Sequence, residues 1–277
     1  MRLLLCSTAD KASVNIKERL LERAEWKEAG SFEGQPVLSH GHDLLVTYPA
    51  DHLYADGIDQ RVAEATGHEF ESVVFLSKHK AASGIATLSV HPIGNYGRAD
   101  YGGKEHTLVP SAPEMMTSTL RSIQRLASGL PFQVSFEVTH HGPFLTTPTM
   151  FIEIGSDDSN YGNIEAAKAL AQALMETEVK EAPHAIGIGG GHYAPRFTES
   201  VITKKVAFGH MIPNHAIEGA DDAALSRSVH MALENSSGAR LVYIHRKSMA
   251  GSRATHIRSI VESLGAEAID SSDLESL

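Results

Sequence analysis

One cysteine, Cys6, and one tryptophan, Trp26, are all that 277 residues hold of either type. A lone cysteine excludes a disulfide scaffold and any Cys-x-x-Cys metal site, and it fits a reducing cytoplasm. Long apolar runs are also missing. The stretches at residues 3–6 and 73–76 fall far short of the roughly 18–20 residues of a membrane span. The first six residues carry one arginine and no cleavage-site pattern, so no signal peptide is expected. Basic charge is scarce as well. With 24 Lys and Arg against 34 Asp and Glu, the net charge is −10, which argues against a generally nucleic-acid-coating surface. No Gly-x-Ser-x-Gly elbow is present, so a serine hydrolase of the α/β type is not expected. A soluble cytoplasmic chain remains, with enough hydrophobic sequence (42%) for a sizeable core.

What the sequence does hold is histidine, 16 in all. Histidine is the commonest metal ligand and titrates nearest neutral pH. Basic residues also gather locally. Residues 72–99 contain Lys78, Lys80 and Arg98 with no acid. Residues 239–261 contain Arg240, Arg246, Lys247, Arg253 and Arg258, again with none. Such windows suit a local anion-binding face.

Short apolar strands alternate with amphipathic helices from end to end. Strands are predicted at 3–6, 44–47, 72–76, 85–90, 134–138, 150–154, 184–188, 205–208, 241–244 and 267–269. Helices are predicted from a Ser13 cap onward and at 113–126, 164–175, 221–233 and 253–264. The pattern implies an α/β fold, three-layered as α/β/α, with a mixed, mostly parallel sheet forming one domain over residues 1–277. In such sheets ligands bind beyond the carboxyl ends of strands.

The unusual residues fall at those ends. His91 follows a strand, as do the adjacent His140 and His141. His192 follows the glycine run 187–191, and His210 and His215 flank Met-Ile-Pro-Asn. Glu137 and Glu153 stand on neighbouring strands. A catalytic metal wants about three nitrogen or carboxylate ligands and an open position, and this set suffices. The same side chains also suit general acid–base work, and spacing alone leaves both readings open. The glycine run is not a dinucleotide fingerprint, because His192 stands where the last glycine belongs and Tyr193-Ala194-Pro195 is read as blocking a helix start. Its backbone amides are expected to cradle a ligand. Cys6 is read as a buried structural residue.

Several segments together resemble the archaeal and plant-type D-aminoacyl-tRNA deacylases. They are Leu-Cys-Ser-Thr-Ala-Asp at 5–10 extended by 12–16, Phe-Leu-Ser-Lys-His at 75–79, Leu-Ser-Val-His-Pro-Ile-Gly-Asn at 88–95, and Thr-His-His-Gly-Pro at 139–143. Phe-Ile-Glu-Ile-Gly at 151–155, Gly-Gly-Gly-His-Tyr-Ala-Pro-Arg at 189–196 and Gly-His-Met-Ile-Pro-Asn-His at 209–215 complete the set. The resemblance implies hydrolysis of the ester joining a D-amino acid to tRNA, zinc as cofactor, and a fold of the phosphorylase and peptidyl-tRNA-hydrolase type. On that reading His91, His140, His141 and His210 are expected as metal ligands, and Glu137, Glu153 and His192 as catalytic groups. Gly189, Gly190, Gly191, Arg196, His215, Arg246 and Lys247 are expected against the tRNA acceptor end. A related aminoacyl- or peptidyl-tRNA hydrolase, a zinc amidase and a non-catalytic tRNA-binding protein are the competing readings. No heptad or apolar stripe argues for a dimer, so a monomer is expected, with no membrane partner.

Overall fold

The computed structural model describes residues 1–82 and 84–277. Its strands fall into two main sheets. The larger has eight strands in the order Lys27–Phe32, Gln35–His40, Asp43–Tyr48, Arg2–Ser7, Ser72–Lys80, Thr149–Ser156, Thr87–His91 and Gln133–Phe136. Its central strands pair in parallel, while Thr149–Ser156 and Thr87–His91 run antiparallel. The smaller has four parallel strands, Ala207–Ile212, His184–Ile188, Leu241–Ile244 and Glu267–Ile269. The mostly parallel α/β architecture is as the sequence predicts, divided between two sheets.

Continuous apolar strands need cover on both faces. One face of the large sheet, with Leu4, Val74, Met150 and Ile152, packs on the helices Lys11–Arg23, Ile164–Glu176 and Pro113–Leu126. The same apolar cluster continues into the small sheet through Ala185, Phe208 and Tyr243. The opposite face, with Leu3, Leu5, Phe75 and Phe151, is covered around the helix Ile58–Thr66. Helices Asp222–Glu234 and Gly251–Ser263 close the outer side of the small sheet. Among the described residues no helix is long and apolar enough to cross a membrane.

Four local readings change. The first helix is capped by Asp10, whose carboxylate accepts from the Ala12 and Ser13 amides at 2.9 and 3.0 Å. Ser13 instead receives the Ser7 amide through its hydroxyl. Pro195 starts a helix, Pro195–Thr203, since a missing N–H costs nothing at a first-turn position. The strand expected at 205–208 is Ala207–Ile212 and so contains His210. The hairpin Lys27–Phe32/Gln35–His40 and the helix Ile58–Thr66 have no counterpart in the sequence reading.

Candidate active site and metal centre

Side chains two apart on a strand share a face, and so do paired residues on adjacent strands. Glu153 is paired with Ser77 on one side and Ser89 on the other. His79 lies two residues beyond Ser77, and His91 two beyond Ser89. The pleat therefore puts one carboxylate between two imidazoles at the end of the apolar face built on Phe75 and Phe151. His91 stacks on the Phe151 ring at 5.2 Å.

The segment after Gln133–Phe136 completes the group. The Glu137 amide bonds to Val90, while those of Val138 and Thr139 bond to His192 and Met211, stitching the two sheets together. His140 and His141 follow. Adjacent residues in regular strand would point to opposite faces, but His141 adopts φ +45°, which turns both rings to one side. Their ring centroids are 4.3 Å apart, and His91 lies 4.2 Å from His140. Farther along this loop the buried Asp59 carboxylate accepts from the amides and hydroxyls of Thr146 and Thr147, fixing its far end.

Ring tautomers follow from the partners, since a carbonyl only accepts. Nδ1–H donates to Pro92 O in His91 (3.1 Å), to Val138 O in His140 (2.7 Å) and to Gly142 O in His141 (2.6 Å). Each imidazole is left with Nε2 as its free ligand atom. These three nitrogens lie within 4.8 Å of one another, and the His91 nitrogen is 3.4 Å from Glu153 Oε2. Buried polar atoms are ordinarily paired, yet His91 Nε2, His79 Nε2 and Glu153 Oε2 have no hydrogen-bond partner among the described residues. Outer bonds that fix the tautomer, with inner nitrogens converging beside a carboxylate, are what a metal cation requires.

The electrostatics agree. Burial and the surrounding His91, His141 and His192 push His140 well below the ordinary histidine value. Burial, aided by His91, takes His141 to about 3. Both are therefore neutral at neutral pH, the form a metal ligand needs. Burial opposes charge on Glu153, but His91, His79 and His141 outweigh it and hold the carboxyl well below its usual range. Burial likewise opposes charge on His91, and Glu153 and then Glu137 reverse the sign. A field that favours a proton beside Glu153 also favours a metal cation there.

Glu137 is fully buried. Its Oε1 accepts from Ser89 Oγ at 2.5 Å, and its Oε2 faces His192 Nε2 at 2.8 Å, His79 Nδ1 at 3.1 Å and His140 Nε2 at 3.6 Å. His192 is the most exposed of this group, with 39% of its side chain open. Two cavities meet here. One of about 830 Å³ and one of about 330 Å³ share Tyr101, His140, His141 and His192 in their walls.

Of the residues singled out by sequence, Glu137, Glu153, His91, His140, His141 and His192 come together. His215 lies on the wall of the larger cavity. His210 does not join them. Its Nε2 donates to Val109 O at 2.9 Å and its Nδ1 accepts from Thr139 Oγ1 at 3.0 Å, so the expectation of a metal ligand is corrected to a buried structural tie. The glycine run is engaged internally as well. The Gly189 amide bonds to Ile212, and that of Gly190 to Asn214 Oδ1 and Ser248 Oγ, which leaves neither for a ligand. Arg196 is held by Tyr243, Glu199 and Ser271 away from both cavities. Arg246 and Lys247 are exposed on a short turn that lines neither. Cys6 is buried in the core, with its thiol pushed up by that burial. His79 also joins the cluster, 3.1 Å from Glu137 and 3.6 Å from Glu153, and is absent from the residues singled out by sequence. Its signal was the alternation Ser77, His79 on a strand running four residues past the predicted end.

Comparison with known proteins fits this geometry. The sequence profile of the D-aminoacyl-tRNA deacylases matches residues 66–269. A D-aminoacyl-tRNA deacylase of Methanococcoides burtonii is 35% identical over 99% of this chain, which spans 57% of that relative's length. One from Pyrococcus horikoshii is 32% identical, covering 97% of this chain and 99% of its own. The crystal structure of a conserved protein of unknown function, AF0625, superposes with a TM-score of 0.88 at 32% identity, covering 99% of this chain and 96% of that one.

Proposed function

This chain belongs to the D-aminoacyl-tRNA deacylase family, and on that premise we propose that it hydrolyses the ester between a D-amino acid and tRNA at the histidine–glutamate cluster. The observation that carries the reading is the set of three imidazoles, each with Nδ1–H tied to a backbone carbonyl and their remaining nitrogens within 4.8 Å of one another, that of His91 lying 3.4 Å from Glu153. An all nitrogen and oxygen donor set of this kind suits zinc. His91, His140 and His141 with Glu153 would hold it, and a bound zinc supplies Lewis acidity toward an ester carbonyl and toward water.

The protein's own groups handle the proton. Ser89 fixes one Glu137 oxygen, and the other orients His192, whose second nitrogen is free to face the cavities. This pair takes the proton released as water adds to the ester carbonyl. It returns one to the ribose oxygen as the carbon–oxygen bond breaks, leaving a free D-amino acid and tRNA. The walls around the cluster would exclude the L side chain by shape while the D residue fits. We read residues 1–277 as one deacylase domain, acting as a monomer in the cytoplasm, where charged tRNA is found. The test is deacylation of D-tyrosyl-tRNA beside L-tyrosyl-tRNA, with a peptidyl-tRNA as control. Selective turnover of the D ester supports the reading, and equal turnover of both enantiomers would make the protein a general esterase.

A further inference from the structure

The two cavities that meet at the histidines differ in size and in charge, and that difference gives the substrate a direction. The larger is lined along one side by the helix Asp222–Glu234. Ala224, Arg227, Ser228 and Met231, at the spacing of one helix face, point into it. Arg227 is exposed, and its guanidinium has neither a hydrogen bond nor an ion pair among the described residues, although the chain as a whole is acidic. Across the cavity stand Arg98, His106 and His215, with Asp100 the one carboxylate on the wall. Arg98 has Asp100 at 3.4 Å, whereas Arg227 is the arginine of this wall with no carboxylate partner among the described residues. The Tyr101 ring is 67% exposed, makes no ring contact among the described residues, and stands where the two cavities join. A free aromatic face is a stacking platform for a nucleobase.

The smaller cavity is of a different kind. Its lining holds the buried set Ser7, Asp10, His52, Ser77 and Glu153 together with the exposed Asp51, Lys78 and Lys80, so its carboxylates outnumber its lysines, and its volume suits a single amino acid.

Resting on the deacylase reading above, we propose that the larger cavity binds the 3′-terminal nucleotides of the tRNA. Arg227 contacts a phosphate of that end, Tyr101 stacks on the terminal base, and the aminoacyl group crosses the histidines into the smaller cavity. The reverse threading would put phosphate on Lys78 and Lys80, the exposed cations in the wall of the smaller cavity.

The experiment compares wild type, Arg227→Gln and the double variant Lys78→Gln/Lys80→Gln on D-tyrosyl-tRNA and on 3′-O-D-tyrosyl-adenosine, which carries no phosphate. Binding of a labelled 5′-CCA-3′ RNA oligonucleotide is measured alongside. R227Q is expected to raise KM for the tRNA about tenfold at unchanged kcat, and to leave the nucleoside ester unaffected. It is also expected to flatten the salt dependence by about 0.7, the slope of one single-strand phosphate contact. The lysine variant is expected to bind the CCA oligonucleotide and to respond to salt as wild type does. Equal loss on both substrates by R227Q, no loss on either, or the tRNA-specific KM rise and flattened salt dependence appearing in the lysine variant would each overturn the threading. The oligonucleotide separates the two readings. A wild type that binds CCA more tightly than R227Q but deacylates nothing upholds the phosphate site and defeats the deacylase reading. A wild type that turns over D-tyrosyl-tRNA but binds CCA no better than R227Q does the opposite.

Discussion

His192 Nε2 lies 2.8 Å from Glu137 Oε2, across the seam where the two sheets are stitched together. One residue follows the last strand of the large sheet and the other follows a central strand of the small sheet. Their contact depends on the backbone bonds from Val138 to His192 and from Thr139 to Met211. The arrangement is a buried carboxylate that orients a partly exposed imidazole, the usual form of a positioned proton carrier.

Because the two act together, Glu137→Gln and His192→Ala should each lower kcat about 10²–10⁴-fold. The double variant should be little worse than either single one, since residues that act as a unit are not additive. Single-turnover deacylation by the four proteins measures this. Multiplying effects would mean that the two residues serve separate steps.

His91→Ala, His140→Ala and His141→Ala should each lose bound metal while staying folded. His210→Ala should keep its metal and instead lose about 2–4 kcal/mol of stability, because it leaves the buried Val109 carbonyl without its donor and the Thr139 hydroxyl proton without its acceptor. Metal content by elemental analysis and denaturant unfolding separate the two classes. Loss of metal from the His210 variant would return that residue to the site.

His210 also gives a pH dependence of known sign. Burial takes its pKa to about 4, against 6.5 when unfolded. Below pH 6.5 the unfolded chain binds a proton that the folded chain refuses, so stability falls as pH drops from 6.5 to 4 and then levels off. At 1.36 kcal/mol per unit the loss is about 3 kcal/mol. His210→Gln should show a shallower fall over that interval than wild type in unfolding curves at fixed pH. Parallel curves would contradict the assignment.

Gly189 and Gly191 should respond differently to alanine. At Gly189 the backbone has φ +109°, and a Cβ would stand 2.5 Å from Ser248 Oγ and 2.9 Å from the Met249 methyl, so Gly189→Ala should cost about 1–3 kcal/mol and shift the loop carrying His192. At Gly191 a Cβ meets nothing within 4 Å, and Gly191→Ala should be near neutral. Thermal unfolding of the two variants checks the contrast.

The chain order shows which of these features were legible. Glu137, Glu153, His91, His140, His141 and His192 could be read because each stands at or just past an apolar strand, where local pattern places chemistry. His79 and His210 were misjudged for one shared reason. Both lie on strands that run four residues beyond their apolar segments, and in one case the extension brings a histidine to the site while in the other it buries one. Arg196 looked free because its partners Tyr243 and Ser271 are 47 and 75 residues away in sequence. The edge hairpin Lys27–Phe32/Gln35–His40 buries little beyond Phe32 and Val37, so it left almost no alternation to detect.

The most direct measurement is deacylation of D-tyrosyl- and L-tyrosyl-tRNA by the same preparation, before chelation, after it, and after zinc is restored. Turnover of the D ester alone is expected, lost on chelation and recovered with zinc. D-selective turnover that survives complete removal of the metal would contradict it.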